Sequence, residues 1–187
     1  VCIRSGKHVY NISLLASIIA AHGAAGAEKW AAGLKANLAR KPQGNDRAQV
    51  KGVYHGECDV ALGNTYYMGK MQTNEKNKVQ KEWAKSVDVI FPNQGDRGTH
   101  VNISGAGVTK NAKNRVNAVK FIEFLSSDAA QKIYAEDNFE YPIKEGVAMH
   151  PLVASWGKFK SDDVHLSKVA ELRSEASKIM DRVRFNN

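Results

Sequence analysis

"CDVALGNTYYMGKM", residues 58–71, decides how this chain is read. "CDVAL" is a short apolar run, too short for a buried helix, and "GN" breaks it. "TYYMGKM" then opens like a helix. A strand that runs through a short loop into a helix is one step of an α/β unit, and the same step recurs on either side. Upstream, "VCIRS" (1–5) is a strand. "YNISLLASIIAAHG" (10–23) carries Ile12, Leu15, Ile18 and Ile19 on one face and stops at Gly23, a C-cap candidate. A second helix follows in "AGAEKWAAGLKANLA", and "RKPQGNDR" (40–47) is a loop, with Asn45 or Asp46 placed to cap the next helix. Downstream come a short helix, "KVQKEWAKS" (78–86), and a strand, "VDVIFP" (87–92). The expectation is α/β, with a largely parallel sheet flanked by helices.

The second half is organised differently. "NQGDRG" (93–98) is a linker or turn, "THVNISGAGVTK" (99–110) a strand interrupted by glycine, and "NRVNAVKFIEFLSSDAAQKIYAED" (114–137) one or two helices. Ser126 or Ser127 is placed to cap the second of them. "NFEYPIKEGVAMHP" (138–151) is extended. The tail repeats Leu166, Val169, Leu172, Ala176, Ile179 and Val183 at helical spacing, which predicts an amphipathic helix docked on the core.

The totals set bounds. At 187 residues, 43% hydrophobic and 25% charged, the chain suits one or two domains with a real core. No uninterrupted apolar run approaches the roughly 20 residues of a membrane span. The opening "VCIRSG" reads as a strand already under way, with neither an initiator Met nor a secretion signal. The net charge of +8 permits an acidic partner, but the basic residues are scattered and not interleaved with aromatics. No nucleic-acid partner is therefore expected. Cys2 and Cys58 each start a strand. If those strands are parallel neighbours, the thiols lie within disulfide reach, which suggests an extracytoplasmic compartment. Reduced, they would be two small buried hydrophobes, and the sequence leaves both readings open.

In a parallel sheet, ligands bind beyond the carboxyl ends of the strands, where helices begin. Two such loops, "RSGKHVYN" and "GNTYYMG", bring Tyr10, Tyr66 and Tyr67 to one edge. A phenol titrates near 10, so it is a poor anion at neutral pH unless a cation displaces its proton. Phenolates with few carboxylates or thiols nearby suit Fe(III) better than Zn(II) or Ca(II). Ser5 and Gly6, just before a helix, offer a hydroxyl and backbone N–H groups to a small anion, and Asn45 and Asn64 add amides. The six histidines show no metal-ligand spacing, and "SGAG" (104–107) lacks a dinucleotide fingerprint. No nucleophile elbow is present.

"RSGKHVYNISLLASIIAAHG", "ARKPQGNDRAQVKGVYHGECDVALGNTYYMGKM", "HVNISGAGVTKNAKNRVNAVKFIEFLSSDAAQKIYA" and "NFEYPIKEGV" closely resemble the ferric-iron-binding proteins of bacterial iron ABC transporters. The resemblance spans nearly the whole chain, in order. It implies a periplasmic-binding-protein-like lobe of the type II solute-binding fold, present here in part. It implies that Tyr66 and Tyr67 match the family's adjacent tyrosines, and Tyr10 a further ligand of its all-tyrosine branch. Ser5 and Gly6 would match the anion loop, with carbonate or another small anion completing the site. Tyr54, Tyr134 and Tyr141 match no ligand position and are expected to pack. Residues 1–96 and 148–187 would form the second lobe, and 97–147 would cross to the first. Most of that first lobe is absent from this sequence, so its ligands would come from elsewhere, or from a separate chain. The implied role is an extracytoplasmic Fe(III) carrier, periplasmic or lipid-anchored, that delivers to an ABC permease in the inner membrane and is not an enzyme. Two rival readings are a metal-free binder of an oxyanion or polyamine on the same fold, and a basic module for nucleic acid or an acidic partner.

Overall fold

The computed structural model describes residues 1–187 and divides the chain into two compact units, 1–102 with 159–187, and 103–158. The sequence reading set the corresponding boundaries at 96/97 and 147/148.

The first unit is built on two helices. α1 (Val9–Ala36) contains the two helices read from the sequence, joined at Gly23, whose φ of 70° and ψ of 171° lie outside the helical region. A side chain there would be strained, so glycine permits the break. By length and composition α1 is apolar enough to cross a membrane, contrary to the sequence reading. Its apolar face is nevertheless spent inside the protein. Ile12, Leu15, Ile18 and Ile19 are buried with Val169, Ala176, Ile179 and Met180 of α8 (Leu166–Arg182), and Phe185 closes the cluster. The 3.6-residue spacing of the tail thus puts one stripe of α8 on α1. α2 (Asp46–Tyr54), α3 (Thr65–Gln72) and α4 (Val79–Ala84) pack on one another beside this pair.

The expected sheet does not form. The chain pairs in parallel at only two isolated points, Cys2 with Ala61 and Thr99 with Ser161. Cys2 donates to the carbonyl of Val60 and accepts from Leu62, both at about ladder distance (2.8 and 2.9 Å). A strand needs such bonds repeated along several residues. Here neither partner stays extended long enough: the N–H of His8 already turns back to Ser5, and α3 starts three residues after Leu62. The segment 87–92 finds no strand partner in the chain: Phe91 stacks on Phe159, the Pro92 carbonyl accepts from Thr99 Oγ1, and Ile90 is 85% exposed. The α/β reading is therefore corrected to a helical unit carrying two parallel bridges.

The first bridge is pinned covalently. Cys2 and Cys58 form a disulfide with Cα atoms 5.9 Å apart, closing a loop of sequence separation 56. In the chain-entropy picture a loop of that length stabilises by about 4 kcal/mol. Around the second bridge, Gln94 donates to Thr99 and to the carbonyl of Lys160, and accepts from the Lys160 N–H. Arg97 forms an ion pair with the nearly buried Asp162. Gly98, with φ at 96°, passes so close to Ser161 that a Cβ would sit 2.6 Å from its carbonyl oxygen. Only glycine fits there.

The second unit holds α5 (Arg115–Leu125), α6 (Asp128–Asn138) and α7 (Pro151–Ser155). The break between α5 and α6 falls where the sequence placed it, and Ser127 caps α6 by accepting from the Ala130 N–H. Gln131 fixes the hairpin, donating to the carbonyl of Leu125 and accepting from the Ile143 N–H. α6 ends at Phe139, in the left-handed region at φ 56°, which buries its ring against His150. α5 buries none of its residues.

Candidate metal centre

Three short segments of the first unit meet at the tyrosines. The loop 4–8 leads into α1, whose second residue is Tyr10. His8 caps that helix, its Nδ1 accepting the Tyr10 N–H at 3.3 Å. Buried Asn11 braces the loop by donating to the carbonyls of Arg4 and Ser5. Tyr66 and Tyr67 occupy the second and third positions of α3. In a first helical turn, neighbours diverge by about 100°, yet phenol arms are long enough to fold together. Their ring centroids lie 4.3 Å apart at 33°.

The hydroxyl of Tyr66 lies 3.1 Å from that of Tyr10, within hydrogen-bond distance. Phenols from segments 56 residues apart thus meet, with the Tyr67 ring packed against that of Tyr66. Tyr54, by contrast, ends α2 beside His55 and is 45% exposed, which corrects its reading as a packing residue. Tyr134 and Tyr141 lie in the second unit.

The electrostatics of the cluster are uneven. Burial, followed by the neighbouring Tyr10 and Tyr67 hydroxyls, pushes the Tyr66 hydroxyl well above the usual phenol range. With no cation bound, Tyr66 keeps its proton at neutral pH. No group of three or more His, Cys, Asp or Glu gathers anywhere in the chain, so phenol oxygen is the concentrated metal donor it offers. Each phenol ring also has a cation at its face: Arg4 is 5.2 Å from the Tyr10 centroid, Arg47 4.9 Å from Tyr67, and Lys70 5.1 Å from Tyr66. All lie within the roughly 6 Å over which a cation is drawn to a ring.

Asp46, read from the sequence only as an alternative helix cap, joins these segments. Its carboxylate, only 2% exposed, accepts from Arg4 at 2.8 Å and from the backbone and side chain of Asn64 at 2.8 and 3.0 Å. Asn64 precedes α3, so Asp46 ties the Tyr10 loop to the helix of Tyr66 and Tyr67. Asn102 extends the tie, donating to Asn64 Oδ1. An acidic residue in the first turn of a helix, after "GN", is the trace Asp46 leaves in the sequence.

The anion cradle is only partly assembled. Gly6 was expected to present a free N–H, but that N–H donates to Asn186 Oδ1. A Cβ at Gly6 would meet Phe185 at 2.7 Å and Met180 at 2.9 Å, so glycine is there for packing of the chain's end. Asn45 caps α2, accepting from the Ala48 N–H, and is exposed. Asn64 is committed to Asp46 and Asn102. Ser5 Oγ accepts from the Lys7 N–H and keeps its own proton to donate. Of the four, Ser5 Oγ and the Asn45 amide NH2 keep donors uncommitted within the chain.

A family model described as bacterial extracellular solute-binding protein matches residues 58–161, more than half of the chain. The chain belongs to that family. Among solute-binding relatives, iron uptake protein A1 of Synechocystis is 51% identical over 181 residues, 97% of this chain and 50% of the relative. The chain spans about half the length of the curated relatives it matches. The apo ferric ion-binding protein A of Pasteurella haemolytica superposes with a TM-score of 0.94 at 49% identity, covering all of this chain and 57% of that one. A Trichodesmium protein solved in complex with iron and citrate ligands superposes with a TM-score of 0.92 at 46% identity, over 98% of this chain and 58% of its own. The solute-binding fold expected from the resemblance is thus present in part, with the sheet reduced to two bridges.

Proposed function

We propose that this chain is the part of an extracytoplasmic solute-binding protein that grips Fe(III) through Tyr10, Tyr66 and Tyr67, for delivery to an ABC permease of the inner membrane. The observation that carries the reading is the 3.1 Å approach of the Tyr10 and Tyr66 hydroxyls, with the Tyr67 ring 4.3 Å from that of Tyr66. A trivalent hard cation displaces phenolic protons as metals do at other protic ligands. Capture therefore releases protons and weakens as pH falls. Before binding, the Tyr10–Tyr66 hydrogen bond already holds two of the oxygens together, so less ordering is left for the metal to impose. The names of the relatives, iron uptake and ferric iron-binding protein, support iron as cargo.

A small anion, carbonate or a carboxylate such as the citrate of the Trichodesmium structure, completes the coordination, with the Ser5 hydroxyl free to donate to it. In this reading the protein binds and releases without catalysing a reaction, and works in the periplasm. The disulfide supports an oxidising compartment. Residues 97–147 would belong to the other lobe of the longer relatives, which supply the remaining ligands. The exposed side chains of Val116, Phe121 and Phe124 on α5 support that placement.

The test is optical. Protein loaded with Fe(III) is expected to show a visible phenolate-to-iron charge-transfer band, and Tyr66→Phe or Tyr67→Phe to bleach it. An unchanged spectrum in both variants would remove them from the site.

A further inference from the structure

The three cations over the phenol rings are not needed to bring the hydroxyls together, yet one stands at each ring face. They come from three different segments: Arg4 from the loop before α1, Arg47 from α2, Lys70 from α3. Arg4 is half neutralised by its ion pair with Asp46. Arg47 forms no ion pair, and its Nε is buried without a hydrogen-bond partner. Lys70 likewise has no carboxylate within ion-pairing distance. Placing two unneutralised cations beside a site for another cation opposes binding by simple Coulomb repulsion, so their effect has to be sought in what they do to the ligands.

We propose that Arg47 and Lys70, resting on the iron reading above, are positioning residues that set the donor strength of the Tyr67 and Tyr66 phenolates. A positive charge at the ring face lowers the energy of the electrons on that ring. Two consequences follow from charge alone. Exciting an electron from the ring to the metal moves negative charge off the ring that the cation stabilises, so the cation raises the transition energy. Adding an electron to bound iron is favoured by nearby positive charge, so the same cations raise the ferric/ferrous potential. The pair thus trades tightness of the ferric state for ease of reduction by one electron from an external donor, after which the weaker-binding divalent ion is released. Arg4 is built differently. Its tie to Asp46 makes it part of the frame, and removing it would leave a buried carboxylate uncompensated.

The experiment uses Arg47→Met and Lys70→Met, which keep the apolar stem and delete the charge, with Lys70→Arg as the conservative control. Each is loaded with Fe(III), its visible band recorded and its midpoint potential measured. The expected result is a band displaced to longer wavelength and a lower potential in both Met variants, with Lys70→Arg close to the parent. Full iron loading with an undisplaced band and an unchanged potential overturns the proposal while leaving the iron reading intact. A band that only loses intensity, without moving, also overturns it, because that marks a structural role. If the parent protein itself shows no band, the iron reading falls and takes this inference with it.

Discussion

α8 and α5 carry the same kind of apolar stripe and meet opposite fates. α8 spends Val169, Ala176, Ile179 and Met180 against α1, leaving its charged face to solvent. α5 leaves Val116 69%, Phe121 58% and Phe124 46% exposed. An amphipathic sequence says that a helix wants a partner, and only the rest of the chain says whether one is there. The helix that found its partner holds the first unit together. The one that did not is held chiefly by α6 and the Gln131 bonds.

The sharpest way to break that contrast is at Ile179, which is fully buried between α8 and α1. Ile179→Ala should cost about 3 kcal/mol, from lost burial and the cavity left behind. Denaturant titration of the variant measures it. A loss well under 1 kcal/mol would mean that the α1–α8 seam is not what stabilises the first unit.

The same contrast marks what was legible in the sequence. Helices came through well because their signals are local. Gly23 breaks α1 where its missing Cβ permits a positive φ, and Ser127 caps α6 where its hydroxyl reaches Ala130. Tyr10, Tyr66 and Tyr67 were placed at one edge from the loops that carry them, and in the structure the Tyr10 and Tyr66 hydroxyls meet with the Tyr67 ring against Tyr66. The expected sheet is missing because short apolar stretches such as "VCIRS" and "VDVIFP" report a wish for neighbours, while a ladder depends on which segments reach them. Gly6 was assigned to an anion because a Ser-Gly before a helix fits one. Its true constraint, Phe185, lies 179 positions along the chain and leaves no mark nearby. The bridging role of Asp46, read from the sequence only as a possible cap, was hidden for the same reason: its partners Arg4 and Asn64 are adjacent only after folding.

A smaller effect tests how firmly the segment leading out of the first unit is held. His100 shares a 3.1 Å hydrogen bond with Ser13 of α1, and burial pushes its pKa below the usual 6.5. The unfolded chain therefore takes up a proton first as pH falls, so ν for the unfolded state exceeds that of the native state. His100 contributes stability that is complete above about 6.5 and drains away below it. His8, lowered by burial and by Arg4, acts in the same direction. His100→Gln should flatten the fall in stability between neutral and mildly acid pH without abolishing it. An identical pH profile would show that this imidazole is not held neutral by the fold.

The smallest expected effect lies at the other end of the comparison. Phe121→Ser removes a large side chain, which at Ile179 would be ruinous, but Phe121 is mostly in water already. Its ring stands 6.5 Å from that of Phe124, a neighbour on the same helix, so one weak intrahelical contact is all that is lost. Surface changes of this kind fall within about 0.5 kcal/mol in either direction. Denaturant titration beside Ile179→Ala reads both on one scale. A loss approaching that of Ile179→Ala would mean that α5 is buried in solution by a self-association, and a protein-concentration dependence of the midpoint would then follow. A negligible change would fix the stripe on α5 as an open face in this chain, the property by which it differs from α8.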